Sequence, residues 1–244
     1  IGILISSTHF LRGKNSFRPV RCPLNGKQAR GILSLGVSSL ITEVSSGIVM
    51  LLFNQILLSL SGNVGVAAYG IIANLALIVV SIFTGVAQGI QPIVSRSFGS
   101  GQMRHVKQIF HYGVITAAAF GLLFLGIGWF FSQPIVGIFN QENNLEMERL
   151  ASQGLPLYFL AFPMMGVNIL ASSYLASLSK GGPAFVLSVL RGAAAVIPAV
   201  LLLSRLFGIT GVWLAVPCAE ALTFLVFLAM LPFCFRRPQK GAGA

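Results

Sequence analysis

Six apolar runs, each closed by a short polar or glycine-containing break, dominate this chain and dictate what it can fold into. They fall at about 31–58, 64–93, 108–131, 151–176, 184–204 and 209–233. A helix needs ~20 apolar residues to cross a ~30 Å hydrocarbon layer, whereas a barrel strand needs only ~10 with alternating polarity. The runs are too long and too uniformly apolar for strands, so the expected fold is all-α: a polytopic membrane protein with a bundle of six transmembrane helices. The breaks Ser61-Gly62-Asn63, Gly99-Ser100-Gly101, Lys180-Gly181-Gly182-Pro183 and Gly208 carry turn chemistry. Composition agrees, because only 9% of the 244 residues are charged, against about a quarter in a soluble domain.

Charge orients the bundle. Arg12, Lys14, Arg18, Arg21, Lys27 and Arg30 precede the first run, Arg96, Arg104 and Lys107 follow the second, Lys180 follows the fourth, and Arg236, Arg237 and Lys240 follow the sixth. The opposite connections hold only Arg149 and Arg205, so the positive-inside rule predicts a plasma-membrane protein with both ends cytoplasmic. Residues 1–30 read as the end of a preceding helix plus a basic cytoplasmic linker, 31–235 as the bundle, and 236–244 as a cytoplasmic tail. The opening IGILISSTHF has neither a basic leader nor a small-residue cleavage site, so a longer chain is expected upstream. The net charge of +11 is explained by these loops and by contact with anionic headgroups; no nucleic-acid motif accompanies it.

Glu43 lies near the middle of the first run, in a chain with five acidic residues. A carboxylate at that depth costs about 2.5–3.5 kcal/mol on insertion scales, which makes it a candidate for ion coupling. Helical spacing places it on a face with Ser39, Ser46, Gly47 and Asn54. In the second run Asn74, Ser81, Gln88 and Ser95 recur seven apart with Gln91 beside them, and in the fourth Tyr158, Met165, Asn168 and Ser172 share a face. Aligned stripes of this kind suit a cavity wall, although small and hydroxylic residues also serve ordinary helix packing in lipid. Glu220, central in the sixth run, is a possible second acid; the alternative is a structural pair with Arg191, which could equally snorkel toward the helix end.

Other chemistry is absent. Cys22, Cys218 and Cys234 share no metal-ligand spacing, and cysteine in apolar segments commonly serves as a small buried hydrophobe. His9, His105 and His111 lie near one edge without metalloprotease spacing. Glu142, Glu146, Glu148 and Arg149 read as a solvated loop patch. No paired acids or Ser-Lys arrangement suggests an enzyme, and no metal or cofactor is expected.

Three stretches together carry a resemblance. The second run ends with Gly85, Gln88, Gly89, Gln91, Pro92 and Gly99; the fifth carries Leu190-Arg191 and Ile197-Pro198; the sixth opens Gly208-Ile-Thr-Gly211-Val-Trp and continues to Pro217 and Glu220. This resembles the carboxy-terminal half of multidrug and toxic compound extrusion (MATE) transporters, over about residues 31–235. The resemblance implies one half of a twelve-helix secondary antiporter that expels organic cations or amphipathic drugs by alternating access, its partner being the amino-terminal half. Glu43 corresponds by helix and depth to the family's coupling acid in its seventh helix. Some sodium-coupled members add an aspartate in the tenth helix; this chain has none, which leaves a proton, or a sodium ion held by Glu43 with neutral oxygens, as the coupling ion. The rival readings are a lipid-linked oligosaccharide flippase of the same superfamily, disfavoured by having one basic residue inside a span, and a structural subunit that does not transport.

Overall fold

A computed structural model describes residues 26–140, 143–178 and 180–234, with side chains described from 44 to 231 within those ranges. The basic segment 1–25, the side chains of Ser39 and Glu43, Glu142, and the tail 236–244 lie outside the described residues. Contacts separate Ile1–Ile41 from Thr42–Ala244. The first unit is helical from Gly26 onward, and the packing below is that of the second.

The described elements are helices: α1 (Gly26–Gly99), α2 (Met103–Phe130), α3 (Ser132–Phe139), α4 (Leu145–Phe159), α5 (Phe162–Ser177), α6 (Gly181–Val189), a π-turn over Leu190–Ala194, and α7 (Val196–Cys234). Val44–Gly99, Met103–Phe130 and Gly181–Leu231 are long and apolar enough to cross a membrane, and α4 with α5, bent by 48°, makes a fourth such stretch. Two of these stretches double back. The rings of Phe53 and Tyr69 stack at 5.2 Å, yet sixteen residues of straight helix would separate them by about 24 Å. Val196 and Val216 line one cavity, where a straight helix would hold them about 30 Å apart. The described residues therefore form a bundle of six apolar helices, broken where the sequence places turn residues.

Both reversals use a glycine conformation that other residues avoid. Gly62 has φ 61° and ψ −154° after a non-helical Ser61, and Gly208 has φ 59° and ψ −134°. That region is open almost only to glycine. At the second turn the chain folds so tightly that a Cβ on Gly211 would run into the backbone of Leu203. The bend between α4 and α5 has a different cause. Pro163, in the first turn of α5, offers no N–H to the carbonyl of Phe159, so the α-helical ladder is interrupted there.

Packing follows small residues. Gly113, Ala117 and Gly121 recur every four positions and are buried in α2, letting it approach α5 closely. A Cβ on Gly121 would lie 2.5 Å from the Cα of Pro163. Phe83, Phe124 and Phe162 pack edge-on at 6.4 Å beside this seam. Much of the outside of the bundle is apolar, with Leu122, Phe130, Leu202 and Leu225 exposed, as suits contact with lipid tails. Cys218 is exposed as well, contrary to a reading of it as a buried hydrophobe.

Of the expected solvated loop patch, Glu146 and Arg149 are exposed, but with Glu148 they lie on helix α4 and not in a loop. Asn144 caps α4, its side chain accepting from the amides of Glu146 and Met147 at 3.1 Å. Glu146 and Glu148 occupy the first turn, where the helix dipole favours negative charge. Asn140 donates to Glu148 Oε2 at 3.0 Å, which ties the α3 end to α4.

Gly208→Ala is expected to destabilise the bundle by about 1–3 kcal/mol through backbone strain alone. Thermal unfolding in detergent checks this: a melting temperature equal to the parent's would show that the turn needs no glycine. Gly121→Leu should cost at least as much by driving α2 off Pro163, read by the same assay.

Candidate functional site

Five helical stretches converge on one cavity of about 400 Å³. Ser46, Val49 and Phe53 reach it from the first arm of α1 at spacings of three and four, and Tyr69 and Val80 from the second arm. Tyr158 and Met165 enter from α4 and α5, seven apart across the bend. Ser188, Arg191, Gly192 and Val196 line it from α6, the π-turn and the start of α7, and Val216 and Glu220 from the second arm of α7. Each set lies along one side of its helix. The aromatic part is continuous, since Phe53 stacks on Tyr69 and Tyr69 on Trp213, the latter at 6.4 Å.

Charge is concentrated at Glu220. Its carboxylate is 3% exposed and Arg191 is 23% exposed. The Arg191 Nε–H donates to Glu220 Oε1 at 3.3 Å, and Nη2 lies 3.3 Å from the same oxygen. Asn168 Nδ2 donates to Oε2 at 2.7 Å and to the Glu220 carbonyl at 2.9 Å. Both carboxylate oxygens are thus met, as burial in an apolar medium requires. Removing one member of such a pair costs about 3–5 kcal/mol, because the remaining charge is stranded. Asn168 is fully buried, and its Oδ1 has no partner among the described residues.

The π-turn presents the arginine. Ala195 N bonds to Leu190 O at 2.9 Å, a five-residue step, so the helix holds one extra residue where Gly192, Ala193 and Ala194 offer no bulk to resist it. Such turns are frequent at functional sites.

Only part of the expected lining meets here. Ser46, Tyr158, Met165 and Glu220 line this cavity. Asn168 reaches it through Glu220, and Ser172 sits one turn on, bonding back to the Asn168 carbonyl at 3.0 Å. Asn54 is half-buried on the first arm. Asn74 lines a different cavity of about 560 Å³ with Asn63, Asn140 and Asn144, and its Nδ2 donates to Gly70 O at 2.8 Å. Gln88 and Gln91 are exposed on the outer face of α1. The buried face of this arm is the apolar one, carrying Ile72, Ala76, Val79, Phe83 and Ala87. The polar stripe therefore points away from the bundle's own core. Phe53, Tyr69, Ser188 and Gly192 are lining residues that sequence reasoning missed; Tyr69 was masked by the polar stripe, which drew attention to the opposite face. Among the described residues no group of His, Cys, Asp or Glu could hold a metal ion.

The MatE family model matches residues 36–201 of this chain. The multidrug export protein MepA of Staphylococcus aureus (strain NCTC 8325 / PS 47) is 26% identical over 211 residues, which cover 85% of this chain and 45% of that protein. MepA of Staphylococcus haemolyticus (strain JCSC1435) is 26% identical over 199 residues, 82% of this chain and 42% of the relative. The chain thus spans about half the length of the curated relatives it matches. Similar solved folds include the Vibrio cholerae MATE transporter VcmN in its bent form, with TM-score 0.79 at 17% identity over 95% of this chain and 52% of that one. A MOP superfamily transporter from Pyrococcus furiosus superposes with TM-score 0.82 at 14% identity, over 96% of this chain and 54% of that one. At those identities the structures speak for the fold alone. The family match covers more than half of the sequence, and this membrane bundle belongs to the MatE family of multidrug transporters.

Proposed function

We propose that the chain is the carboxy-terminal half of a secondary active multidrug exporter, an antiporter that expels organic cations or amphipathic drugs in exchange for protons or sodium by alternating access. The observation that carries this reading is the outward polar stripe. Asn74, Ser81, Gln88 and Gln91 are exposed on a helix whose other face is buried apolar core. Lipid tails offer amides no partners. Such a face suits the wall of an aqueous cleft, closed on its far side by a second bundle. The match to about half of each relative's length fits a second bundle of similar size, the amino-terminal half.

In this reading Glu43 carries the coupling ion. It lies one turn before Ser46, a cavity-lining residue on the same arm of α1. Glu220, already held by Arg191 and Asn168, serves as a fixed charge in the wall. The distribution of Lys and Arg supports a plasma-membrane orientation with both ends in the cytoplasm. The flippase reading is not favoured, because the arginine inside a span is engaged by Glu220 and a pyrophosphate would need several cationic groups.

Two measurements test the proposal. In the transporter that contains this chain, Glu43→Gln should slow ethidium efflux about tenfold, equivalent to about 1.4 kcal/mol of barrier, and abolish its dependence on the driving ion; an unchanged rate and ion dependence would sink the coupling role. Single cysteines at Ser46 and Gln88 should react with an aqueous thiol reagent while one at the exposed apolar Leu122 does not. An unreactive Gln88→Cys would remove the cleft.

A further inference from the structure

A separate groove opens on the outside of the bundle near the start of α2. Lys107, Phe110, His111 and Val114 line it, and its volume is about 460 Å³. They recur at spacings of three and four, so they lie along one side of the helix. Arg104 stands one turn before Lys107 on that side, and Arg104, Lys107 and His111 are all exposed. Positive charge is therefore gathered toward the start of α2, and the helix carries no acidic residue to offset it. The floor is apolar and shared. The Phe110 ring lies 4.2 Å from that of Tyr174 on α5 and 6.2 Å from that of Phe227 on α7, so the groove sits over a joint between three helices. Further along α2 the exposed large side chains are apolar, among them Ile115, Leu122 and Leu123.

We infer that this groove is a discrete binding site for one anionic phospholipid of the phosphatidylglycerol type. Its phosphate meets Arg104, Lys107 and His111, and an acyl chain lies over Phe110 and Val114. The inference goes beyond the exporter reading and does not depend on it; it needs only that α2 crosses the bilayer, for which the helix is long and apolar enough. Dimensions support it first. Lys107 and Val114 are seven residues apart, about 10 Å of helix rise, whereas each headgroup layer is about 5–8 Å thick. A phosphate held at Lys107 thus brings the upper acyl chain level with Phe110 and Val114. The chemistry also fits. A guanidinium matches phosphate oxygens bidentately, an ammonium adds a point charge, and an imidazole offers an N–H in either tautomer. Basic pockets beside membrane helices are the expected form of such lipid sites. Other occupants match less well. The tail after α7 brings Arg236, Arg237 and Lys240, which would meet like charge. An acidic peptide from solution would match the charges but leave the apolar floor, and the apolar surface that continues from it, unused.

The test places the full chain in phosphatidylcholine nanodiscs doped with a phosphatidylglycerol that carries a diazirine in its acyl chain, and locates the cross-linked residues by peptide mass spectrometry after illumination. Label should concentrate on residues 103–114. Unlabelled phosphatidylglycerol should compete about fivefold better than added phosphatidylcholine, the effect of one basic residue beside an anionic lipid, and inorganic phosphate should not compete. The double variant Arg104→Gln, Lys107→Gln should lose at least about fivefold of the α2 label on the same ground. Val114→Trp keeps every charge but fills the groove, and should also lose the label, which separates a discrete site from diffuse attraction to the basic end. If that bulky variant fails to fold, the charge variant, at two exposed positions, decides the matter. Equal competition by phosphatidylcholine would mean ordinary annular lipid and would overturn the site. So would label spread evenly over the exposed apolar helices, an undiminished α2 label in the charge variant, or in a folded Val114→Trp variant. Displacement by inorganic phosphate would make the ligand a free anion, and absence of label from α2 in the full chain would leave the groove to another occupant such as the tail; either result overturns the lipid.

Discussion

A peptide group in hydrocarbon finds no water to bond, so every amide along this chain must be satisfied by its own helix or by a neighbour close at hand. The rest of the architecture follows from that constraint. Long helices are the default, and departures from them are confined to places where the missing bonds cost little: glycine turns at Gly62 and Gly208, a proline after the bend between α4 and α5, and a π-turn that re-pairs its own carbonyls. The same constraint explains the side-chain bonds of Ser172 and Thr223, each returned to a carbonyl one turn back.

Glu220 meets the constraint in a harder form, because a charge needs more than one partner. Asn168 comes from α5, Arg191 from the π-turn, and the carboxylate from α7. One ion pair and one amide therefore tie together three segments far apart in sequence. The apolar core around Trp213, Tyr69 and Leu155 could slide by small steps without losing much, since its contacts are non-directional. The hydrogen bonds at Glu220 could not, and they set the register of α5 against α7.

How much of this was legible in the sequence depended on the type of signal. Helix existence and the four breaks followed from apolar run length and turn residues, since lipid leaves few alternatives. The side that each helix turns inward was harder. In the second arm of α1 the polar stripe through Asn74 and Gln88 suggested a lining face, but the face buried in this bundle carries Ile72, Val79 and Phe83. Periodicity shows that a helix has two faces; in a membrane it does not show which of them meets its own bundle, because apolar side chains suit lipid and core alike. The partnership of Glu220 with Arg191 was one of two readings open on composition. Asn168 as its second partner had no local signal, since the two residues are brought together by folding over a separation of fifty-two positions.

The π-turn at Leu190–Ala194 has an angular consequence. Eight residues separate Ser188 from Val196, and an uninterrupted α-helix would advance about 800° between them, leaving them some 80° apart in phase. One surplus residue absorbed in the wide turn takes up roughly 100° of that advance. The two positions then differ by only about 20°, near enough to point into the same space. Ser188, Gly192 and Val196 share a cavity wall because the helix is out of phase with itself by one residue, and Arg191 stands at the point where that phase slips.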